Sequence, residues 1–359
     1  MFNYLFGKKM RLNVRKKYIV LTTIGLALMV LAFWPYTDEK CRNNVLLAKS
    51  FKWYELQIPQ HDTLYFYAQW PSPVLRHLSV DSVEALNEFV SNAFFSSFSG
   101  RVVTASDTVC LPLEWSYGQI RDAASATVER LNRRMTYYEG LRHEMDYYDK
   151  THTVVDNGYH LVMSYNETIK EKQKETEHIR ECMLHIVNGD SARVILRQQC
   201  LVYWQNAAGK IDSSWCENAG SSDYGIALWQ CRNRELPEDL SRLGINLWSG
   251  LISLSFPAKV RIWANWGYSH WLGERDLEVK PAVLKAEGAT YSLPLTDGGN
   301  GAPVFNSMGQ LVGVNVNGQL VPSWRIYLMQ NEVFGWGNSL VEDFSSWIAW
   351  MWNKTRRVI

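Results

Sequence analysis

An excess of charge of either sign is the first thing this chain lacks. Its 359 residues hold 37 lysines and arginines against 36 aspartates and glutamates, a formal net charge of +1, so nothing in the balance calls for nucleic acid as a partner. Metal-type spacing is missing as well. The six cysteines, Cys41, Cys110, Cys182, Cys200, Cys216 and Cys231, form no Cys-x-x-Cys pair and show none of the usual zinc-framework spacings with histidine. Among the eight histidines, His152, His160, His178, His185 and His270 show no metal or triad spacing. No metal and no cofactor is expected. Proline is absent from Ile120 to Ile186, so that stretch contains no helix breaker of this kind. Before residue 35 there is one uncharged run, Tyr18–Trp34, "YIVLTTIGLALMVLAFW".

That run fixes the expected compartment. At 17 residues it is short for a spanning helix and long for the apolar part of a signal peptide. Lys8, Lys9, Arg11, Arg15, Lys16 and Lys17 precede it, no small-x-small cleavage site comes after it, and no lipobox precedes Cys41. The expectation is a basic cytoplasmic tail over 1–17, a single-pass anchor over 18–34, a linker over 35–50, and the rest outside the cytoplasm. All six cysteines then lie in the exported part, where disulfides are permitted. Six cysteines allow 15 connectivities, and buried unpaired thiols stay equally open.

Apolar residues make up 47% of the chain and charged residues 20%, a globular composition. Residues 51–118 are rich in aromatic and β-branched types, with one short helical patch expected over Ser82–Phe89 after Asp81 as N-cap. The texture then becomes helical. Val128, Leu131, Met135, Tyr138, Leu141, Met145 and Tyr148 recur at steps of three and four. After the turn signal Asp156-Asn157-Gly158 comes a second series: Val162, Tyr165, Ile169, Lys172, Thr176, Ile179, Met183 and Ile186. Both read as one apolar seam, hence an antiparallel helical hairpin over 119–187 with arms of roughly 40–50 Å. Strand texture resumes at Ala192 and runs to about Val333. A closing helix over 338–359 should start at Asn338 or Ser339 and place Leu340, Phe344, Trp347, Ile348 and Met351 against the domain.

Three separated segments carry a resemblance. "SNAFFSSFSGRVVTASDTV" (Ser91–Val109) looks like the two strands that lead to the catalytic histidine of trypsin-like serine proteases. "SSDYGIALWQC" (Ser221–Cys231) resembles the strand that carries their aspartate. "PLTDGGNGAPVFNSMGQLVGVN" (Pro294–Asn315) resembles their nucleophile loop and the hairpin after it. The order along the chain is the family's own. The resemblance covers roughly Phe51–Gly118 and Ala192–Ile359. It implies a mainly β, chymotrypsin-like double β-barrel: a first barrel from 51–118 and 188–238 interrupted by the hairpin, and a second over 239–337.

The departures fall on the chemistry. Carried over by position, the histidine is Asp107, the aspartate is Gly225 and the serine is Asn300. Acyl transfer needs a hydroxyl, an imidazole to take its proton and a carboxylate to hold that imidazole. Asn300 has no attacking oxygen, Asp107 is too weak a base, and Gly225 orients nothing. Loss of such a triad costs about 10⁶-fold in kcat, so no useful peptidase activity is expected. The resemblance does leave the backbone N–H groups of Gly298 and Asn300 as oxyanion-hole-like donors. The Asn300 side chain could also donate to a bound carbonyl. Thr296 and Ser307 read as turn residues, and Asp107, Asp223 and Asp297 as solvated turn carboxylates. Trp263, Trp266 and Trp271 read as core and rim packing.

The expected role is that of a membrane-anchored, catalytically inactive domain that binds, scaffolds or regulates a protein or peptide partner outside the cytoplasm. Two rivals are an active endopeptidase with a triad placed elsewhere and an assembly protein that self-associates through the hairpin.

Overall fold

The computed structural model describes residues 22–23, 36–69, 72–106, 115–206, 208–222, 224–245, 258–265, 277–287, 290–293 and 299–356. The expected anchor over 18–34 lies outside the described residues except for Thr22 and Thr23. Asp107, Cys110, Asp223, Trp266, His270, Trp271, Thr296, Asp297 and Gly298 lie outside them too. Among the described residues no helix is long and apolar enough to cross a membrane.

The first part of the chain runs α1 (Asp38–Asn43), β1 (Leu46–Gln57), β2 (Leu64–Gln69), β3 (Ser72–Ser79), β4 (Asn87–Phe95), β5 (Arg101–Ala105), α2 (Tyr117–Thr151) and α3 (Tyr159–Asn188). Then come β6 (Arg193–Gln205), β7 (Ile211–Ser221), β8 (Ile226–Cys231), β9 (Ala258–Asn265), β10 (Leu277–Glu287), β11 (Thr290–Ser292), β12 (Pro303–Asn306), β13 (Leu311–Val316) and β14 (Gln319–Pro322). Two helices close the chain, α4 (Ser323–Phe334) and α5 (Trp336–Arg356). The described residues divide into two compact units. One comprises Met1–Lys49, Val90–Ser106 and Cys200–Ile359; the other comprises Ser50–Phe89 and Asp107–Gln199.

The fold is mainly β, with two barrels and a helical hairpin. In the first barrel the order is β1-β4-β5-β8-β7-β6, closed by pairing of β6 with β1. Every second residue points inward: Ala93 and Phe95 on β4, Cys200, Val202 and Trp204 on β6, and Ala227, Trp229 and Cys231 on β8. The second barrel closes in the order β10-β11-β14-β13-β12-β9 around Val260, Ile262, Leu284, Val304 and Val312. β1 already starts at Leu46, ahead of residue 51. Trp263 is buried, as expected of a packing residue.

Two expectations need correction in these outer elements. The residues after Asp81 make one turn, in which the Asp81 carboxylate accepts the Val83 N–H at 2.9 Å, and β4 begins at Asn87. Asp81 caps a turn that nothing propagates, because nucleating one turn is unfavourable without further hydrogen bonds. The closing helix starts at Trp336, comes after the unforeseen α4, and is held on the side opposite to the one expected. Phe344, Trp347, Ile348, Met351 and Trp352 are exposed. The inner face instead offers Glu342 to Arg101 at 2.7 Å, and Asp343 to the Phe98 N–H and the Arg242 guanidinium, both at 2.6 Å. Arg101 is only 3% exposed, and a buried guanidinium demands a carboxylate more than the barrel demands another apolar stripe.

In the other unit, α2 and α3 form the expected antiparallel hairpin. The Ser116–Gln119 capping box opens α2, and Gly158, in the left-handed region at φ 89°, leads into α3. The seam residues from Val128 to Tyr148 are buried or half-buried throughout α2. On α3, Tyr165 and Lys172 fall outside the seam, and Asn166 is buried beside Ile169. The base of the hairpin is not a detachable insert. Ile120, Ala123, Ala124, Leu131, Ile179, Cys182, Met183 and Ile186 share one core with Tyr54, Leu56, Leu64, Phe66 and Leu75 from β1, β2 and β3. Tyr54 stacks on Phe66 with ring centroids 5.0 Å apart, and Trp115 meets both edge-on.

Among the described cysteines, Cys41, Cys182, Cys200, Cys216 and Cys231 are buried free thiols. Cys216 and Cys231 face each other across β7 and β8, their sulfurs 2.9 Å apart.

Candidate functional site

The loop before β12 is built from backbone outward. Asn315, 1% exposed on β13, donates its Nδ2 to the Gly299 carbonyl at 2.9 Å and accepts the Gly318 N–H at 3.2 Å. Its main chain accepts from the Gly301 N–H at 2.8 Å and donates to the Ala302 carbonyl at 2.9 Å. From the first barrel, fully buried Asn92 sends both its N–H (2.7 Å) and its Nδ2 (3.2 Å) to the Asn300 carbonyl. The Thr104 hydroxyl bonds the Asn92 carbonyl at 2.7 Å and lies 2.6 Å from the Ser91 hydroxyl. These buried polar groups satisfy one another, which fixes the loop between two barrels.

Glycine at 301 is obligatory in this arrangement. Its φ is +78°, and a Cβ there would fall 1.9 Å from the Asn92 carbonyl oxygen. The next element is a two-residue Asn317-Gly318 hairpin between β13 and β14, with φ of 50° and 78° and Val316 paired to Gln319. That is the type I′ form, whose twist suits the flanking strands. It brings Asn317 under Asn300. The Asn300 Nδ2 donates to the Asn317 Oδ1 at 2.7 Å, and the Asn317 N–H donates to the Asn300 Oδ1 at 2.6 Å. Both ends of the Asn300 carboxamide are thereby tied to a neighbouring turn. The expectation that this side chain reaches out to a bound carbonyl is corrected accordingly. Among the described residues the Asn300 main-chain N–H has no acceptor.

Gly225 joins the same place. Its carbonyl accepts the Ser106 N–H at 2.7 Å, its own N–H bonds the Ser222 carbonyl at 3.0 Å, and its φ is +74°. A Cβ on it would meet the Val316 Cγ1 at 2.8 Å, so neither the backbone nor the space suits an aspartate. Gly225 therefore abuts Val316 and Ser106, while Gly301 abuts Asn92 and Ala105. The structure brings together Gly225, Asn300 and Ala105–Ser106, the end of β5 from which Asp107 continues; Asp107 and Gly298 lie outside the described residues. Ser307 sits exposed in the Asn306–Gly309 turn, away from any hydrogen-bonded role in this network.

Three contributors were not anticipated. Asn92 and Asn315 are asparagines inside strands, where the residue is disfavoured, and that misfit is the signal that each has a buried polar duty. Asn317-Gly318 is a strong hairpin dipeptide in its own right. Among the described residues, the unit that holds this loop contains no histidine. Of the eight histidines, His270 lies outside them and the other seven belong to Ser50–Phe89 and Asp107–Gln199, the unit without the loop. The one described cluster with metal-ligand geometry, His61, His185 and Asp190, is in that unit too.

No protein-family model and no curated protein matches the chain. Solved structures do show similarity. One is Deg5, with a TM-score of 0.36 and 13% identity over 83% of this chain and 92% of that one. Another is the HtrA-type protease AlgW with a tripeptide, at 0.36 and 9%, covering 82% of this chain and 62% of AlgW, less than two thirds of its length. The thermostable serine protease AL20 from an extremophilic microorganism gives 0.32 and 11%, over 78% and 86%.

Proposed function

We propose that this chain is a trypsin-like domain that has given up catalysis and works by binding, held outside the cytoplasm by the apolar run 18–34. The observation that carries the reading is the state of two of the three triad-equivalent positions, Asn300 and Gly225. Asn300 is closed onto Asn317 by two hydrogen bonds, and Gly225 has a left-handed backbone with Val316 where a Cβ would go. A nucleophile would have to break the first arrangement, and an aspartate the second. The loop still presents the Asn300 N–H, so it can donate to a carbonyl of an extended peptide without attacking it.

The chain just after the run is fixed at Tyr36. The Tyr36 N–H donates to the Gly309 carbonyl at 2.8 Å, its ring meets Phe305 edge-on, and its hydroxyl accepts the Gly244 N–H at 2.8 Å. Burial pushes the Tyr36 hydroxyl above its ordinary pKa. With only Pro35 between Trp34 and Tyr36, the chain docks on the second barrel as soon as the run ends. A reporter fused after Ile359 should work only if active outside the cytoplasm, and the protein should resist carbonate washing. For the binding claim, the purified full chain should leave unfolded casein uncut under conditions where trypsin degrades it. Cleavage that tracks with this protein rather than with a contaminant would overturn the reading.

A second reading has its own observation. Toward the far end of the hairpin, Tyr147, Val154, Val155 and Leu161 are exposed, Val155 at 93%. Exposed apolar groups clustered on an arm suit self-association, so the Leu161→Ser, Val155→Ser double variant should run as a smaller species by light scattering.

A further inference from the structure

We propose that His61, His185 and Asp190 form a binding site for a divalent transition-metal ion of the zinc type. One ligand atom from each residue lies within 4.8 Å of the other two. His185 Nδ1 and Asp190 Oδ2 are 2.9 Å apart, and the His61 and His185 rings lie 4.1 Å centroid to centroid. A tetrahedral ion with bonds of about 2.1 Å spaces its ligands about 3.4 Å apart, so all three groups reach one ion with side-chain adjustment of about an ångström. Two imidazoles and a carboxylate are the donor set that zinc, cobalt and nickel accept, whereas calcium and magnesium prefer all-oxygen sites. Water completes the coordination, because His185 and Asp190 are exposed and His61 half-buried.

The local backbone prepares the site from both sides. His61 ends a turn in which its N–H bonds the Ile58 carbonyl at 3.2 Å, with Pro59 and left-handed Gln60 (φ 64°) at the corners. Proline fixes one dihedral of that turn and lowers the cost of holding His61 in place. His185 and Asp190 stand at the end of α3, which Gly189 terminates at φ 115°. The Gly189 N–H bonds the Ile186 carbonyl and the Asp190 N–H bonds the His185 carbonyl. This closing motif sets the His185–Asp190 spacing through the backbone. Cations are favoured there, since the last carbonyls of a helix carry partial negative charge. Asp62 adds a further carboxylate beside His61 and pairs with His178 at 3.1 Å. The ion would staple the β1–β2 turn to the base of the hairpin, joining residues that share one core. No spacing rule exposes this, because His61 and His185 come from distant parts of the sequence.

The test is zinc titration of the full, untagged chain in detergent, followed calorimetrically and by cobalt(II) visible absorption. The expected result is one equivalent bound and a raised melting temperature. His61→Ala and Asp190→Asn should each weaken binding at least about tenfold, while His178→Ala leaves it unchanged. His61→Ala does not touch the helix cap, so its circular dichroism without metal should match the wild type. If that variant misfolds, His61→Gln serves in its place. Failure to take up zinc, or uptake that both ligand variants retain, would overturn the site.

Discussion

The loop at Gly299–Ala302 and the far end of the α2–α3 hairpin treat their surface groups in opposite ways. The loop satisfies almost every polar group from within: Asn92, Asn315 and Asn317 account for the Gly299 carbonyl, the Asn300 carbonyl and both ends of the Asn300 side chain. The hairpin end leaves apolar groups uncovered, with Val155 and Leu161 exposed at 93% and 77%. One region is over-determined by its own chain, and at Gly301 it leaves no room for a Cβ. The other is held by the helices on either side of it and a short turn in which the Thr153 N–H donates to the Asp156 carboxylate at 2.7 Å. A loop this constrained, without a nucleophile, suits a rigid donor surface, whereas the hairpin end suits contact with another chain.

The largest effect that would break this contrast comes from the hairpin's base. Replacing Ile120–Ile186 with a short Gly/Ser linker removes eight residues from the core around Tyr54 and Phe66 (Ile120, Ala123, Ala124, Leu131, Ile179, Cys182, Met183 and Ile186). Read from sequence, the hairpin is a separable insert. With this core in view, the replacement should abolish cooperative unfolding of that unit and expose Tyr54 and Trp115 to solvent, seen in tryptophan fluorescence and near-UV circular dichroism. A linker variant with the wild-type melting profile would restore the separable arm.

Next in size is Gly301→Ala. The new methyl would overlap the Asn92 carbonyl and require a left-handed alanine, a combination worth about 3 kcal/mol or more. Chemical denaturation should show that loss or outright misfolding. A neutral result would mean the loop is looser than its hydrogen bonds imply.

The seam of the hairpin and the order of the three loop segments are readable in the sequence because each obeys a short-range rule: steps of three and four on a helix, and glycine where the backbone turns tightly. Val128 through Tyr148 line the seam for that reason. The hidden part depends on residues far apart in sequence. Asn92 and Asn315 hold the loop from two different barrels, and nothing near them in the chain announces it. The outward face of α5 misleads because Phe344, Trp347 and Ile348 form a stripe, while the deciding group, buried Arg101, lies elsewhere in sequence. Lys172 fits the α3 seam by spacing, although a charged head at that position stays in water.

Asn317→Gly sharpens the comparison at smaller scale. Glycine keeps the positive φ and the N–H that serves Asn300 Oδ1, and deletes only the acceptor for Asn300 Nδ2. The cost should be about 0.5–1 kcal/mol, and the freed amide should exchange faster by NMR. Smallest of all is Leu161→Ser. At an exposed position it should change the stability of the monomer by no more than about 0.5 kcal/mol while reducing self-association, the reverse of what Gly301→Ala does.

The proposed function rests most directly on the absence of a nucleophile in the loop, and an activity-based fluorophosphonate probe measures that. Incubated with the purified full chain, the probe should leave every residue unmodified, at the level of a heat-denatured control, and Asn300→Ser alone should stay unlabelled because position 107 holds an aspartate rather than a histidine to take the serine's proton. Probe covalently attached to a residue of the wild-type chain beside Gly225 and Asn300, mapped by mass spectrometry and lost on denaturation, would contradict the loss of catalysis.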